Sequence, residues 1–402
     1  MHRPSLAHVG SAPGRARTAP ILMTMTTSVL VLGAGFGGLE LSTRLSEELG
    51  EQVDVTLIDR ADAFVFGFSK LDVMFGVRAP EAVRLRYAGM TTPQVRFRQE
   101  EITEIDPDAR RVVTDLDEYE ADLLVVALGA DYDVEATPGL AEAGNEYYSV
   151  EGAEALRDVI PSFRSGSAIV GVCGPSFKCP PAPSEAALLL DEYLRERGLR
   201  DDATIKVVMP FGAPIPPSPA TSEAILSRFA ERGIEFVPDR RIASLDPATH
   251  EAVLDDGMRL PYDLFLGIPV HRVPEVVEAS GMTEDGWIPV DKGTLATRYP
   301  GVYAVGDVTS VGTAKAGVFA EGAARALADQ LIARIRGQAR TPEYDGTAAC
   351  WIEFGDDEVA RIEVDFFSRP GHPVGTFTEP SLATAEEKAE YGASRRVRWF
   401  GA

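Results

Sequence analysis

Apolar positions along this chain follow two rhythms. Ser28–Leu32 is a short continuous apolar run, Leu39–Leu49 repeats at helical spacing until Gly50, and Val53–Ile58 alternates into a strand closed by Asp59. Strand, helix and strand in that order predict a βαβ unit. Residues 95–127 predict two hairpin-like stretches, and Leu123–Leu128 reads as a buried strand ending at Gly129. A second βαβ-like unit begins at Ser167, with a strand at Ala168–Val172 and a Pro-rich loop. Its helix is expected at Ser184–Arg197, stopped by Gly198, and its next strand at Thr204–Met209. Gly301–Val305 is another buried run, ending in Gly306-Asp307, and an Ala-rich helix follows over roughly Phe319–Arg336. From Thr341 the chain turns aromatic and charged. The pattern predicts an α/β protein with two tandem units of one kind and a small C-terminal lobe. Residues 28–148 and 285–340 form one discontinuous domain, 149–284 the second, and 341–402 the lobe.

Composition narrows the function. Apolar residues make up 45% of the 402, enough for a buried core. The 62 acidic side chains outnumber the 39 basic ones and give a net charge of −23. Such a surface repels phosphate backbones, so nucleic acid is not an expected partner. No apolar run approaches the roughly 20 residues of a membrane-spanning helix. Residues 1–27 are polar and aperiodic, and Ile21-Leu22-Met23 is shorter than the apolar core of about 7–15 residues that export needs. They are expected to be a disordered extension, with Met23 and Met25 as alternative starts, on a cytoplasmic protein. Three cysteines in a cytoplasmic chain argue against a structural disulfide framework. His250, His271 and His372 have no ligand-like spacing, so no metal site is expected.

The glycines say more. Gly33-Ala34-Gly35-Phe36-Gly37-Gly38 fits G-x-G-x-x-G between a strand and a helix. Gly33 permits the tight turn, Gly35 lets the backbone approach a pyrophosphate, and Gly38 lets helix and strand pack closely. Asp59 ends the next strand at a spacing suited to a ribose hydroxyl. Tyr299–Asp307 resembles the signature in which flavoproteins hold the FAD ribityl chain with an Asp, here Asp307. Ala127-Leu128-Gly129 resembles their A-T-G turn, with Leu in place of Thr. Over residues 28–340 the chain is therefore similar to the two-dinucleotide-domain flavoproteins, which include disulfide reductases, type II NADH dehydrogenases and sulfide oxidases. The resemblance implies two Rossmann-like domains and FAD.

The nicotinamide site of that family is expected to be degenerate. Loop 171–181, GVCGPSFKCPP, is too long, lacks two of the glycines and carries three prolines without donor N–H groups. The following strand ends in Met209-Pro210, with neither the ribose carboxylate nor the phosphate-binding Arg.

Lys178-Cys179-Pro180-Pro181 with Glu185 six residues on, and Ala349-Cys350-Trp351, resemble the two cysteine contexts of sulfide:quinone oxidoreductases and flavocytochrome c sulfide dehydrogenases. That resemblance implies two thiols meeting over the flavin as a redox-active disulfide or polysulfide bridge, which sulfide attacks. It implies a small sulfur substrate and a quinone or redox-protein acceptor. Lys178 and the N-terminus of the following helix are expected to favour a thiolate at Cys179, and Glu185 to shuttle a proton. Thr313–Gly317 resembles the Lys-x-Gly turn of the group, which implies that Lys315 and Gly317 open a helix aimed at the flavin pyrimidine. Cys173 reads as a core residue.

The chain departs from these families in places. Where many sulfide:quinone oxidoreductases have a third Cys, the nearest match is Tyr148. The segment Phe64–Phe68 has no Cys to tether FAD, so non-covalent binding is expected. The C-x-x-x-x-C of disulfide reductases is absent. The tail Ser394–Phe400 is basic and aromatic without a long apolar face, and reads equally as a peripheral contact with the inner face of the membrane or as a homodimer contact. Sulfide oxidation through Cys179 and Cys350 is the leading reading. A type II NADH:quinone dehydrogenase and a flavin-bearing sensor without turnover are its competitors.

Overall fold

The structure is a computed structural model that describes residue 1 and residues 26–339, 342–369 and 371–401. The expected N-terminal extension, with Met23 and Met25, lies almost wholly outside the described residues. The chain runs through β1 (Thr27–Leu32), α1 (Phe36–Leu49), β2 (Val53–Asp59), α2 (Ser69–Met74), β3 (Val95–Gln99), β4 (Leu123–Val126) and β5 (Asp131–Asp133). Next come β6 (Gly166–Val172), α3 (Ala182–Glu196), β7 (Ala203–Val208), α4 (Pro219–Arg232), β8 (Ile234–Val237), β9 (Leu264–Ile268) and β10 (Val270–Arg272). Then follow β11 (Val302–Ala304), α5 (Gly317–Ile335), β12 (Thr347–Glu353), β13 (Val359–Asp365), β14 (Val374–Ser381) and α6 (Leu382–Phe400).

Two all-parallel sheets carry the architecture, in the orders β11-β4-β1-β2-β3 and β8-β7-β6-β9. Each is a Rossmann-like unit, and the fold is α/β. β4 is buried throughout and β6 from Ala168 on, which is why they read as unbroken apolar runs rather than alternating ones. β11 returns from far along the chain to the edge of the first sheet, beside β4. The hairpin expected from residue 95 is not there. Val95–Gln99 instead pairs parallel with β2, and the antiparallel strands begin at Ile102. Alternation does not distinguish a half-exposed parallel edge from a hairpin strand. β5 and β10 pair antiparallel and place Tyr132 opposite His271, so a two-stranded ribbon joins the end of one sheet to the end of the other.

The C-terminal lobe is the antiparallel sheet β12-β13-β14 followed by α6. Ser381 caps α6 by accepting from the Thr384 N–H, and Gly401 ends it at a φ of +68°. Arg395, Arg398, Trp399 and Phe400 of the basic and aromatic tail turn inward. Arg398 pairs with Glu40 and Glu47, Arg395 pairs with Glu321, and Trp399 is 0% exposed with its indole N–H on Glu40. The partners of Arg395, Arg398 and Trp399 thus lie on α1 and α5 of the same chain, while Val397 stays exposed. Trp399 packs edge-on against Phe36 and Phe64.

Trp399→Ala would leave a cavity and take one of its two donors from a buried carboxylate oxygen of Glu40. It should cost about 3–5 kcal/mol in urea unfolding. A loss under about 1 kcal/mol would mean that α6 is not anchored by this residue.

Candidate active site

The carboxyl ends of the first sheet open onto a cavity of about 400 Å³. Gly33, Gly35 and Gly37 line it after β1, Asp59 at the end of β2, Gly129 after β4, and Gly306 and Asp307 after β11. Ligands bind outside the carboxyl ends of strands in open α/β sheets. Gly33 has φ +97°, and a Cβ there would press on the Ala127 carbonyl. A Cβ on Gly38 would overlap the Gly33 carbonyl oxygen, whereas one on Gly35 would meet no protein atom. Thus Gly38 serves the packing of α1 on β1, and Gly35 leaves open space on the cavity wall.

Two helix N-termini reach this cavity. α1 and α5 both begin without a side-chain cap and without an acidic residue in the first turn. Phe36, Gly37, Gly317 and Val318 of those first turns line the wall. Their unpaired N–H groups and partial positive charge suit a pyrophosphate and an electron-rich ring edge, so these residues fit FAD. Asp59 braces the glycine loop: its carboxylate accepts from the Ala34 N–H at 2.7 Å and the Ala61 N–H at 2.8 Å. Further lone pairs remain for a ribose hydroxyl. Asp307 is held above its ordinary pKa by burial, which outweighs the nearby Lys178 and Lys315.

Lys315 is placed differently from its expected role. It does not line the cavity. Its ammonium donates to the Asp307 carbonyl at 2.7 Å and the Thr309 carbonyl at 3.1 Å, and sits 3.2 Å from the Trp287 ring centroid. Burial lowers its pKa to about 8. Its backbone does other work, because the Lys315 carbonyl accepts from the Cys179 N–H at 2.7 Å.

Cys179, Cys350 and Glu185 line the same cavity. Cys179 sits in the left-handed region at φ +52°, a conformation disfavoured for a side-chain-bearing residue. The bond to Lys315 and one from the Ala182 N–H hold it there. Both thiols are free. Although Cys179 is exposed to the cavity, it lies deep among protein atoms, and depth sets its protonation. Burial raises the Cys179 thiol well above its ordinary pKa, with Glu185 and Cys350 adding to the rise. Burial likewise pushes Cys350 up to about 12. The expectation of a thiolate at Cys179 favoured by Lys178 is therefore corrected. The Lys178 ammonium is bonded to the Ala130 carbonyl at 2.8 Å, and α3 starts two residues earlier than expected, at Ala182. Burial raises Glu185 to about 7. Cys173 is buried in a separate apolar cluster around Ile169 and Phe265.

The family profile described as pyridine nucleotide-disulphide oxidoreductase matches residues 27–325. The chain belongs to that family. It is an FAD-dependent oxidoreductase. The mitochondrial sulfide:quinone oxidoreductase of Mus musculus is 26% identical over 359 residues, covering 85% of this chain and 79% of the mouse protein. The crystal structure of the sulfide:quinone oxidoreductase from Aquifex aeolicus superposes with a TM-score of 0.80 at 21% identity, over 93% of this chain and 92% of that one. A type II NADH:quinone oxidoreductase of Staphylococcus haemolyticus is 31% identical, but only over 137 residues, 32% of each chain.

Two features of the site were missed in the sequence. Lys388 of α6 lines the cavity, pairs with Glu353, and is the cation that offsets part of the rise burial causes in the Cys179 and Glu185 pKa values. The signal was present: residues 384, 388, 391, 395 and 399 fall on one helical face. Tyr147 and Tyr148 also line the cavity, and the Tyr148 hydroxyl donates to the Lys178 carbonyl at 2.9 Å. Beyond the second sheet, Phe177 stacks on Phe211, and both Phe177 and Ile215 are buried. Apolar side chains of the chain itself thus pack around the loop that carries a nicotinamide fingerprint in relatives that have one.

Gly35→Val should fold with near-wild-type thermal stability yet lose FAD, because its side chain enters only the cavity. Gly38→Ala should lose the fold itself. Equal FAD content in wild type and Gly35→Val would contradict the cradle. Glu185 gives a second test. Its folded pKa lies above the unfolded 4.5, so its favourable contribution is complete below 4.5 and lost as pH rises through about 7. Glu185→Gln should therefore gain on wild type by about 2 kcal/mol between about pH 5.5 and about pH 8.5. A pH-independent difference would show that the carboxyl is ordinary.

Proposed function

We propose that the protein oxidises sulfide, or a closely related small sulfur compound, through Cys179 and Cys350, and passes the electrons by way of FAD to a quinone or a redox protein. The observation that carries this reading is that Cys179 from the loop before α3 and Cys350 from β12 line one cavity together with Glu185. The named function of the mouse relative, which matches 85% of the chain, supports it. Residues 28–148 and 285–340 are assigned to holding FAD non-covalently, with Gly33, Gly35, Gly37, Asp59, Gly129, Gly306, Asp307 and Gly317 around it. The degenerate second unit, 149–284, supplies the Cys179 loop.

When bound, FAD supplies the two-electron exchange with the acceptor. The rest falls to the chain. In its oxidised state the cysteine pair is a bridge, and hydrosulfide attacks one of its sulfurs. A sulfur–sulfur bond forms and the bridging bond breaks, so one cysteine becomes a persulfide and the other leaves as a thiolate. A thiolate is costly in so apolar a place. Lys388 offsets part of that cost, and Glu185, titrating near neutrality, can give the leaving sulfur a proton or take one from the persulfide. The ion pair with Glu353 keeps Lys388 charged. The dehydrogenase reading is weaker, because the altered 171–181 loop offers no glycine cradle for a second dinucleotide.

Anaerobic sulfide should bleach the flavin of the wild type and of Cys173→Ser, while Cys179→Ser and Cys350→Ser should not bleach. NADH should bleach slowly or not at all. Retained bleaching in both serine variants would sink the cysteine chemistry, and rapid saturable bleaching by NADH would promote the dehydrogenase.

A further inference from the structure

Cys179 stands in a turn that its own sequence does not favour. A residue before a proline is pushed toward extended backbone, and Pro180 follows. Cys179 nevertheless keeps φ +52°, and Ser176 in the same loop keeps φ +64°. Two backbone bonds act on the turn, from the Cys179 N–H to the Lys315 carbonyl at 2.7 Å and from the Ala182 N–H to the Cys179 carbonyl at 2.9 Å. Two more come from neighbouring side chains. The Tyr148 hydroxyl donates to the Lys178 carbonyl at 2.9 Å, and the Tyr147 hydroxyl donates to the Ala182 carbonyl at 3.3 Å. One phenol therefore grips the peptide that enters Cys179, and the other grips the start of α3 beyond it.

The two tyrosines are themselves fixed. They are 3% and 5% exposed. The Glu146 carboxylate accepts from the Tyr148 N–H at 2.6 Å and the Ser149 N–H at 2.9 Å, and the Lys70 ammonium bonds the Tyr148 carbonyl. The Asn145 carbonyl accepts from the Gly267 N–H of β9 at 2.7 Å, which ties the segment to the second sheet. Burial holds both phenols well above their ordinary pKa, and charge on Cys179 raises them further. Each phenol stays protonated with its one hydrogen committed to a carbonyl, so neither is a proton donor to sulfur. Cys350, by contrast, needs no such bracket. It lies within β12, which pairs with β13 from Thr347 to Glu353. The freedom that bridge closure must remove is on the Cys179 side.

We propose that Tyr147 and Tyr148 are positioning residues for the cysteine pair, holding the Cys179 turn in the conformation from which its sulfur joins Cys350. The proposal rests on the cysteine chemistry set out above. A turn ordered in advance raises the effective concentration of one thiol at the other, because closing the bridge no longer has to order the loop.

The test equilibrates the FAD-loaded protein anaerobically in buffers of reduced and oxidised glutathione at one pH. Two thiols of the protein give two electrons and two protons to glutathione disulfide, which leaves the bridge and two molecules of glutathione. Acid quenching, thiol blocking and mass spectrometry then count the bridge. Tyr148→Phe should lower the bridge-forming equilibrium constant by about fivefold, the worth of one hydrogen bond. Tyr147→Phe, with the longer bond, should lower it less, and the double variant more than either. Amide hydrogens of peptide 176–183 should exchange faster in both variants. Tyr119→Phe loses a hydroxyl bond to Glu100 away from the cavity, so it should leave the constant unchanged. An unchanged constant in the double variant overturns the positioning role, even if its exchange is faster. Loss of FAD from either variant also overturns it, by assigning the hydroxyls to the flavin. If the wild type forms no bridge in any buffer, the cysteine-pair reading falls, and faster exchange in both variants would still show the tyrosines holding Cys179.

Discussion

Two buried carboxylates set the geometry of this protein. Glu40 on α1 and Glu321 on α5 are 1% and 2% exposed, and each would be costly to bury alone. Arg325 and Arg398 meet Glu40, and Arg325 and Arg395 meet Glu321; the Tyr391 hydroxyl and the Trp399 indole complete the shells. Burial by itself would raise Glu40, but the bonds to Arg398 and Arg325 overcome it and hold its carboxyl below the ordinary value. Removing one partner from such a network exposes the full desolvation cost of the other, so the network fixes α6 far more firmly than an exposed ion pair would.

What α6 brings is chemical as well as structural. Its inner face carries Lys388 and Tyr391 into the cavity wall, and Trp399 closes against the aromatic rings behind the glycine loop. The site is then a place of low dielectric in which protonation states are set by depth. Both thiols rest protonated, Glu185 sits near neutrality, and Lys388 stays charged against Glu353. The proposed cysteine chemistry, in which a thiolate is needed only in passing, suits such surroundings, because Glu185 offers a proton donor in the same cavity.

The sequence carried the fold where the physics is local. A glycine with positive φ, a strand buried on both faces and an uncapped helix start each leave a mark within a few residues. That is why Gly33–Gly38, Leu123–Gly129 and Gly306-Asp307 were legible. Cys179 and Cys350 were legible through a resemblance, not through spacing, since nothing in the 170 intervening positions announces that they share a wall. The errors came from tertiary context. Lys178 looked like the partner of its neighbour Cys179, yet the backbone turn at φ +52° sends the two side chains to different partners. The inward bonds of Arg395 and Arg398 were not visible either, because their partners lie more than seventy residues upstream. Lys315 was read for its charge, while its backbone carbonyl holds Cys179 in place.

The account stands on sulfur passing through the cysteine pair, and one measurement reaches that directly. The FAD-loaded protein is mixed anaerobically with one equivalent of sulfide per flavin, quenched in acid with a thiol-blocking reagent, and digested for mass spectrometry. The peptides of Cys179 or Cys350 should carry one additional sulfur atom, and the Cys173 peptide none. Full bleaching of the flavin with no added sulfur on either cysteine would contradict the account.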